Sequence, residues 1–473
     1  MTGKKCYNVI LVISDSFRKD HLGCYGNSWI HTPNLDKFSK ESAIFMRTYP
    51  ESLPTIPARR AIYTGKRVFP FRKYDLRKDI LSRRPGWEPL SNEDISISEV
   101  FRLSGYRTAL IGDNYHLFEP GMNFNRGFLE WIFIRGQEND MFRSAHLVSD
   151  EELEKYIPSR LTGKAAERKK IFLRRYLSNT SFRRSEEDWF APQTFREGVR
   201  WLRENREAEK FLLILEPFDP HEPWDPPHEF VEIYDPNYEG KEVITPKYGY
   251  ADYLTERELK HMRAHYAGEV TLLDKWFGYF MQKVYELNLH KNTIIVFTSD
   301  HGHQLGEHNL TGKVSWGLYP ELVDIPLLIR HPEEVGAGEK IYQYVYNHDL
   351  FTTLAYMAGI RFEHKVDGIN IWDYVEKERV DVRRSYVTSA LSQYVMYRDD
   401  EYWYISNRQG EETQLYALKE DPHLKRNIAK EDPETCREIF ERIVRDAGGN
   451  LPELRLPSND AFEWYDRMYF QLT

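Results

Sequence analysis

The sequence predicts an α/β chain with a central, mostly parallel sheet flanked by helices, and a small C-terminal antiparallel sheet with its own helix. Three observations carry that expectation. Short apolar, β-branched runs recur at residues 9–13, 108–111, 211–215 and 293–297, and such runs suit strands covered on both faces. Helical patterns separate them, at 32–41, 96–104, 194–206 and 256–287. Beyond about residue 381 the texture shifts to closely spaced strand patterns broken by turn residues.

Taken in order, the run Val9-Ile-Leu-Val-Ile13 opens the sheet, and each later run follows a helical stretch, as in parallel sheets. Residues 136–187 are rich in charge and lack a strand pattern. They predict a helical insertion near the mouth of a site, placed to act as a lid. Strands are expected at 386–391, 394–398, 403–407 and 414–417, and a helix at 433–447. The reading divides the chain into a large α/β domain, 1–380, and a C-terminal subdomain and tail, 381–473. Residues 451–473, rich in aromatics and proline, are expected to pack on the body or on a second subunit.

Bulk properties narrow the function. With 473 residues, 41% hydrophobic and 14% aromatic, the chain can bury a large core. A net charge of −9 argues against a nucleic-acid-coating surface, so no nucleic-acid partner is expected. Cys6, Cys24 and Cys436 are scattered and odd in number, which suits a reducing compartment. No window approaches the ~20 apolar residues of a membrane span, and the N-terminal apolar run is too short for a signal peptide. The expectation is a cytoplasmic protein without a membrane partner.

Two strand patterns end in candidate ligands: one in Asp15-Ser16, the other in Asp300-His301. In parallel sheets, ligands collect beyond the carboxyl ends of strands. Hard oxygen donors with one imidazole suit Ca²⁺, Mg²⁺ or Mn²⁺, with Zn²⁺ also accommodated. The plainer alternative is that each aspartate caps a following helix. Thr55 stands where a helix would start, with Pro57 in its first turn and Arg59 one turn on. A hydroxyl there sits in positive potential, and a guanidinium can grip two oxygens of a tetrahedral anion. The plainer alternative is an ordinary N-cap threonine. His303 and His308 are read as loop residues, because their spacing is not that of a His-Glu-x-x-His zinc helix. The basic run at 167–175 is read as a solvated helix face.

These motifs together resemble the sulfatase family of the alkaline phosphatase superfamily, almost end to end. Asn8-Val-Ile-Leu-Val-Ile-Ser-Asp15 resembles its first metal strand, and Thr32-Pro-Asn-Leu-Asp36 its next helix. Thr55-Ile-Pro-Ala-Arg59 with Thr64-Gly-Lys66 stands where the family carries its Cys/Ser-x-Pro-Ser/Ala-Arg signature. Gly105 to Gly112 with His116, Asp219-Pro-His221, Ser299-Asp-His-Gly302 and Lys313 resemble further active-site segments. Gln414-Leu-Tyr-Ala-Leu418, Asp421-Pro422 and Asn427-Ile-Ala429 resemble the C-terminal strand and turn. The resemblance implies an alkaline-phosphatase-like sandwich and one divalent metal ion held by Asp15, Ser16, Thr55, Asp300 and His301. It also implies catalytic roles for Thr55, Arg59, His221, Lys313 and His116, with a small anionic ester as substrate. A homo-oligomer through the C-terminal tail is a further expectation.

The departures shape the expected chemistry. Threonine is not a precursor of formylglycine, so no formylglycine is expected, and a Thr55-linked intermediate can be cleared only by water attacking phosphorus or sulfur. That tilts the expectation toward phosphate or phosphonate esters, as in the phosphonate monoester hydrolases and phosphodiesterases, which look similar here. Ser16 stands where many sulfatases have a second aspartate, and Asp113-Asn114 where the family has a lysine. Two alternatives stay open: a sulfuric ester hydrolase working without formylglycine, and an inactive ligand-binding relative.

Overall fold

The computed structural model describes residues 6–72, 84–144, 148–377 and 384–454. The proposed domain boundary near 381 and most of the C-terminal tail lie outside them. In chain order the strands are β1 (Asn8–Ser14), β2 (Ala43–Tyr49), β3 (Arg107–Gly112), β4 (Glu130–Phe133), β5 (Phe211–Glu216), β6 (Gly249–Tyr250), β7 (Thr293–Ser299), β8 (Gln304–Leu305), β9 (Leu310–Gly312), β10 (Leu327–Arg330) and β11 (Lys340–Tyr346). A C-terminal group follows: β12 (Val387–Leu391), β13 (Tyr394–Arg398), β14 (Tyr402–Asn407) and β15 (Gln414–Ala417). The helices through the first half are α1 (Pro33–Lys40), α2 (Thr55–Thr64), α3 (Ile97–Leu103), α4 (Tyr115–Phe118), α5 (Asp150–Leu153), α6 (Gly163–Thr180) and α7 (Phe190–Glu204). The remainder are α8 (His228–Glu232), α9 (Glu256–Glu286), α10 (Pro320–Val323), α11 (Asp349–Met357), α12 (Asp373–Glu376) and α13 (Pro433–Asp446).

The large sheet has the order β11-β2-β10-β7-β1-β5-β3-β4. The four apolar runs read from the sequence form its centre, where β1 lies parallel between β7 and β5 and β3 follows β5. The one antiparallel member is β10, which runs against both β7 and β2. Successive side chains of β1 point to opposite faces. Ile10 and Val12 join an apolar layer with Leu35 of α1, Val199 of α7 and Phe277 of α9. Val9, Leu11 and Ile13 join the opposite layer with Ile62 of α2, Val100 of α3 and Phe351 of α11. The result is a three-layer sandwich, with every residue of β1, β5 and β7 buried.

The C-terminal strands form the expected antiparallel sheet, covered by α13, whose Ile439 and Ile443 pack on Val395 and Leu415. Its other face shares an apolar cluster with Tyr49, Leu322 and Tyr346.

Several boundaries and assignments differ from the sequence reading. Helix α7 begins at Phe190 rather than near 194, because Pro192 is tolerated in a first turn where its missing N–H has no partner to lose. The sequence reading missed β2, β4, β10 and β11. Strand β2 interrupts its apolar pattern with Arg47, β10 has only four residues, and β4 and β11 are sheet edges. The basic run at 167–175 is not a wholly solvated face: Lys169 is buried, and its ammonium donates to the carbonyls of Thr245 and Pro246 at 2.6 and 3.1 Å. The insertion is helical, with α5 and α6 in its described part.

Candidate active site

Strands β1 and β7 are paired in register up to Ser14 opposite Ser299, so Asp15 and Asp300 leave the sheet side by side. The Ser299 hydroxyl donates to the carbonyl of Ser14 at 2.8 Å and accepts from the N–H of Phe17 at 2.9 Å, which clasps the two strand ends. Ser16 takes φ 59°, a left-handed conformation that costs a serine energy. In return its N–H reaches Asp300 Oδ1 at 3.0 Å and its hydroxyl donates to Asp15 Oδ1 at 2.8 Å.

His301 completes this group. Its Nδ1 lies 2.8 Å from the carbonyl of Gly302, an acceptor only, so Nδ1 carries the proton and Nε2 presents a lone pair. That Nε2 is buried and has no hydrogen-bond partner among the described residues, 3.4 Å from Asp300 Oδ2 and 4.0 Å from Asp15 Oδ1. Gly302 is needed here because a Cβ would meet the main-chain oxygen of Glu321 at 2.1 Å.

Thr55 opens α2 and is almost fully buried, and its carbonyl accepts a 3.4 Å bond from Arg59 Nη1. The helix ends at Gly65, where φ is 66° and a Cβ would meet Phe351 at 2.9 Å. Arg59, one turn into α2, is fully buried among three carboxylates. Its Nη1 meets Asp15 Oδ2 at 3.0 Å and Asp300 Oδ2 at 2.5 Å, and its Nε meets Glu216 Oε2 at 2.8 Å. Its Nη2 is buried and has no hydrogen-bond partner among the described residues.

Electrostatics follow from this crowding. Burial, then repulsion from Asp300, pushes the Asp15 carboxyl well above the usual carboxylate range, against the pull of Arg59 and Lys313. Burial also opposes charge on Asp300, but His301 and Arg59 outweigh it and bring its pKa to about 2. Burial holds His301 neutral, with its pKa lowered to about 4, and raises Glu216 to about 7. An imidazole lone pair facing two carboxylates calls for a cation. The donor set of Asp15, Asp300 and His301, whose ligand atoms lie within 4.8 Å of one another, fits one divalent ion.

A second cluster adjoins it. His221 Nδ1 donates to the carbonyl of Glu222 at 2.6 Å, and its Nε2 accepts from Lys313 Nζ at 2.9 Å. Burial lowers the His221 pKa to about 3, so the ring is neutral. Lys313 also meets Glu222 Oε2 at 3.1 Å and lies over the ring of Tyr248, whose hydroxyl donates to Glu222. His303 Nε2 lies 3.1 Å from the same carboxylate. His303 is therefore a buried partner of this cluster and not a plain loop residue, whereas His308 stacks on Tyr319 away from it.

His116 reaches this cluster only through Glu138, whose charge also acts on His221. Its Nε2 lies 3.1 Å from Glu138 Oε2 of the insertion, and Phe218 separates it from His221 by stacking on the latter. Asn114 lies 3.4 Å from Asp15 Oδ2, while Asp113 accepts from Thr194 and from the Phe218 N–H. Sequence reasoning missed Glu216, Glu222 and Tyr248. Glu216 had a signal, a lone carboxylate ending an otherwise apolar strand, and Glu222 adjoined a singled-out histidine; Tyr248 had none.

Comparisons with known proteins identify the family. The sulfatase family model matches residues 7–360, and a model described as N-sulphoglucosamine sulphohydrolase, C-terminal, matches 306–446. An arylsulfatase of Clostridium perfringens is 25% identical over 442 residues, covering 88% of each chain. The multifunctional alkaline phosphatase superfamily protein PehA of Trinickia caryophylli is 26% identical over 397 residues, covering 70% of each. Among solved structures, the phosphonate monoester hydrolase of Agrobacterium radiobacter aligns with a TM-score of 0.70 at 20% identity, over 93% of this chain and 95% of that one. A matched family model over three quarters of the chain, on a sandwich whose β1 and β7 ends bring two carboxylates and an imidazole against an arginine of α2, makes this chain a member of the sulfatase family and a hydrolase of ester bonds.

Proposed function

We propose that this hydrolase cleaves a small phosphate or phosphonate ester through a covalent Thr55 intermediate, with one divalent cation held by Asp15, Asp300 and His301 beside Ser16 and Thr55. The observation that carries the reading is the buried, unpartnered Nε2 of His301 facing two carboxylates, within one arginine of a threonine at a helix start. When bound, the cation supplies positive charge to the attacking oxygen and to the oxygens of the transferred group.

In this reading the Thr55 hydroxyl gives up its proton to solvent as its oxygen attacks phosphorus, the bond to the alcohol breaks, and the alcohol leaves with a proton. Arg59 Nη2, which has no partner among the side chains around it, is the arm that grips a phosphoryl oxygen, while Nε and Nη1 stay on the carboxylates. His221 holds its only proton on the Glu222 carbonyl and accepts one from Lys313, so Lys313 bears the proton that the departing alcohol takes, directly or through His221. Water then attacks phosphorus, its released proton returns Lys313 to the ammonium form, and the bond to Thr55 breaks as its oxygen takes a proton back from solvent. Support for phosphorus over sulfur comes from Thr55 itself, which offers one hydroxyl where a hydrated aldehyde offers two. The neighbours named as phosphonate monoester hydrolases share the fold.

The test compares nitrophenyl esters of phosphate, phenylphosphonate and sulfate on wild type and T55A. Wild type is expected to turn over a phosphorus ester and T55A to lose at least about 10²-fold in kcat. Turnover of sulfate alone would favour the sulfuric ester reading, and full activity in T55A would remove the covalent step.

A further inference from the structure

Away from that site, α9 carries His261 and His265 one turn apart, both buried, and both aim Nε2 at one carboxylate of the loop before β6. Glu242 Oε2 lies 2.9 Å from His261 Nε2 and 2.7 Å from His265 Nε2. On its other side, His261 Nδ1 lies 2.9 Å from Asp235 Oδ2. Asp235 is held in turn by Lys260 at 3.0 Å and by Arg257. The ring of Tyr238 stacks on His261 at 3.5 Å and fixes its plane.

A donor inventory shows what this arrangement lacks. A carboxylate accepts only, so Asp235 takes the Nδ1 proton of His261 and leaves a lone pair on Nε2 in the neutral ring. That lone pair faces Glu242 Oε2, another acceptor. A positive centre is needed between them, either a second proton on His261 or a metal ion. Two features favour the metal. A second imidazole, His265, converges on the same oxygen, which a proton on His261 does not require. And a carboxylate on the far nitrogen is the contact that orients a metal-bound histidine. The three ligand atoms lie within 4.8 Å of one another. About half an ångström of opening would give the ~3.3 Å spacing of ligands 2.0–2.1 Å from a tetrahedral ion. Glu242 is about one-third exposed (36%), which leaves water a route to the fourth position.

We propose that His261, His265 and Glu242 form a second cation site, specific for a late first-row divalent ion, with Zn²⁺ the best match to two imidazoles and one carboxylate. The site is a staple and takes no part in the ester chemistry. The Glu242 N–H donates to the carbonyl of Lys155, and Lys169 of α6 donates to the carbonyls of Thr245 and Pro246. An ion bridging Glu242 to α9 therefore pins the insertion and the loop leading to Tyr248, which touches Glu222.

The experiment strips the full chain with a chelator, saturates the first site with Mn²⁺, and titrates ZnCl₂. Bound zinc is read by mass spectrometry of the metal and thermal stability by calorimetry, for wild type, the double variant E242Q/H265Q and D235N. The expected result is one zinc per chain more in wild type than in the double variant, a zinc-dependent rise in Tm in wild type only, and a roughly 10–100-fold weaker zinc affinity in D235N. Folding of the double variant is checked by circular dichroism; should it not fold, D235N carries the test alone. Equal zinc stoichiometry and affinity in wild type and the variants would mean that a second proton fills the gap, and would overturn the site.

Discussion

Glu222 Oε2 lies 3.1 Å from Lys313 Nζ, with both side chains buried, so the lysine beside His221 is held by a carboxylate that no substrate supplies. Breaking a buried pair by removing one partner strands the other charge. E222Q is expected to lower stability by about 3–5 kcal/mol in urea unfolding. It is also expected to cut kcat/KM by about 10²-fold, because Lys313 loses its position relative to His221. An unchanged unfolding midpoint would show that this pair is not formed in solution.

Arg59 is the only guanidinium shown to bridge Asp15, Asp300 and Glu216 among the described residues. R59A leaves three buried carboxylates facing one another. Without added cation it is expected to lose about 3–5 kcal/mol of stability. Saturating Mn²⁺ or Ca²⁺ should restore part of that loss, since a bound cation offsets the same charges, and kcat should still fall by about 10²–10³-fold. Thermal melts with and without cation separate the two effects; a cation-independent melt would count against the site.

Chelation should abolish ester hydrolysis in wild type, and one or more of Ca²⁺, Mn²⁺ and Mg²⁺ should restore it. At a cation concentration 100-fold above Kd, the folded state gains about 2.7 kcal/mol, visible as a rise in Tm. D300N should lose both the rescue and the rise. Full activity after exhaustive chelation would be incompatible with this chemistry.

Lys169 gives a pH dependence of known sign. Burial lowers its pKa from 10.5 to about 7, so the folded state releases a proton that the unfolded chain keeps up to about pH 10.5. The cost of burying the ammonium is present in full below pH 7 and fades as pH rises through that window. Wild type should therefore gain stability relative to K169M between pH 7 and 10. Denaturant midpoints of the two proteins across that range read the effect directly, and parallel curves would refute it.

Much of the fold was legible because β1, β5 and β7 are covered on both faces and so are apolar throughout, a pattern visible without partners. The positions of Asp15, Asp300 and His301 followed from where those runs end. What the sequence could not show is pairing between distant residues. Arg59 reads as a substrate grip, yet two of its nitrogens are spent on carboxylates at the ends of β1, β5 and β7. Tyr248 sits in a stretch with no strong pattern and reaches Glu222 only through the tertiary fold. The edge strands β4 and β11 escaped for a related reason, since a strand open on one side carries charged and polar residues that blur its periodicity.

The in-register pairing of Ser14 with Ser299 has a consequence for how this family can diverge. The gap between Asp15 and Asp300 is set by the spacing of adjacent strands, about 4.8 Å, and not by any loop. Loop replacement can therefore change which ester reaches the site while leaving the carboxylate frame intact. A single-residue insertion in β1 or β7, by contrast, would turn one aspartate to the opposite face and dismantle the frame at once.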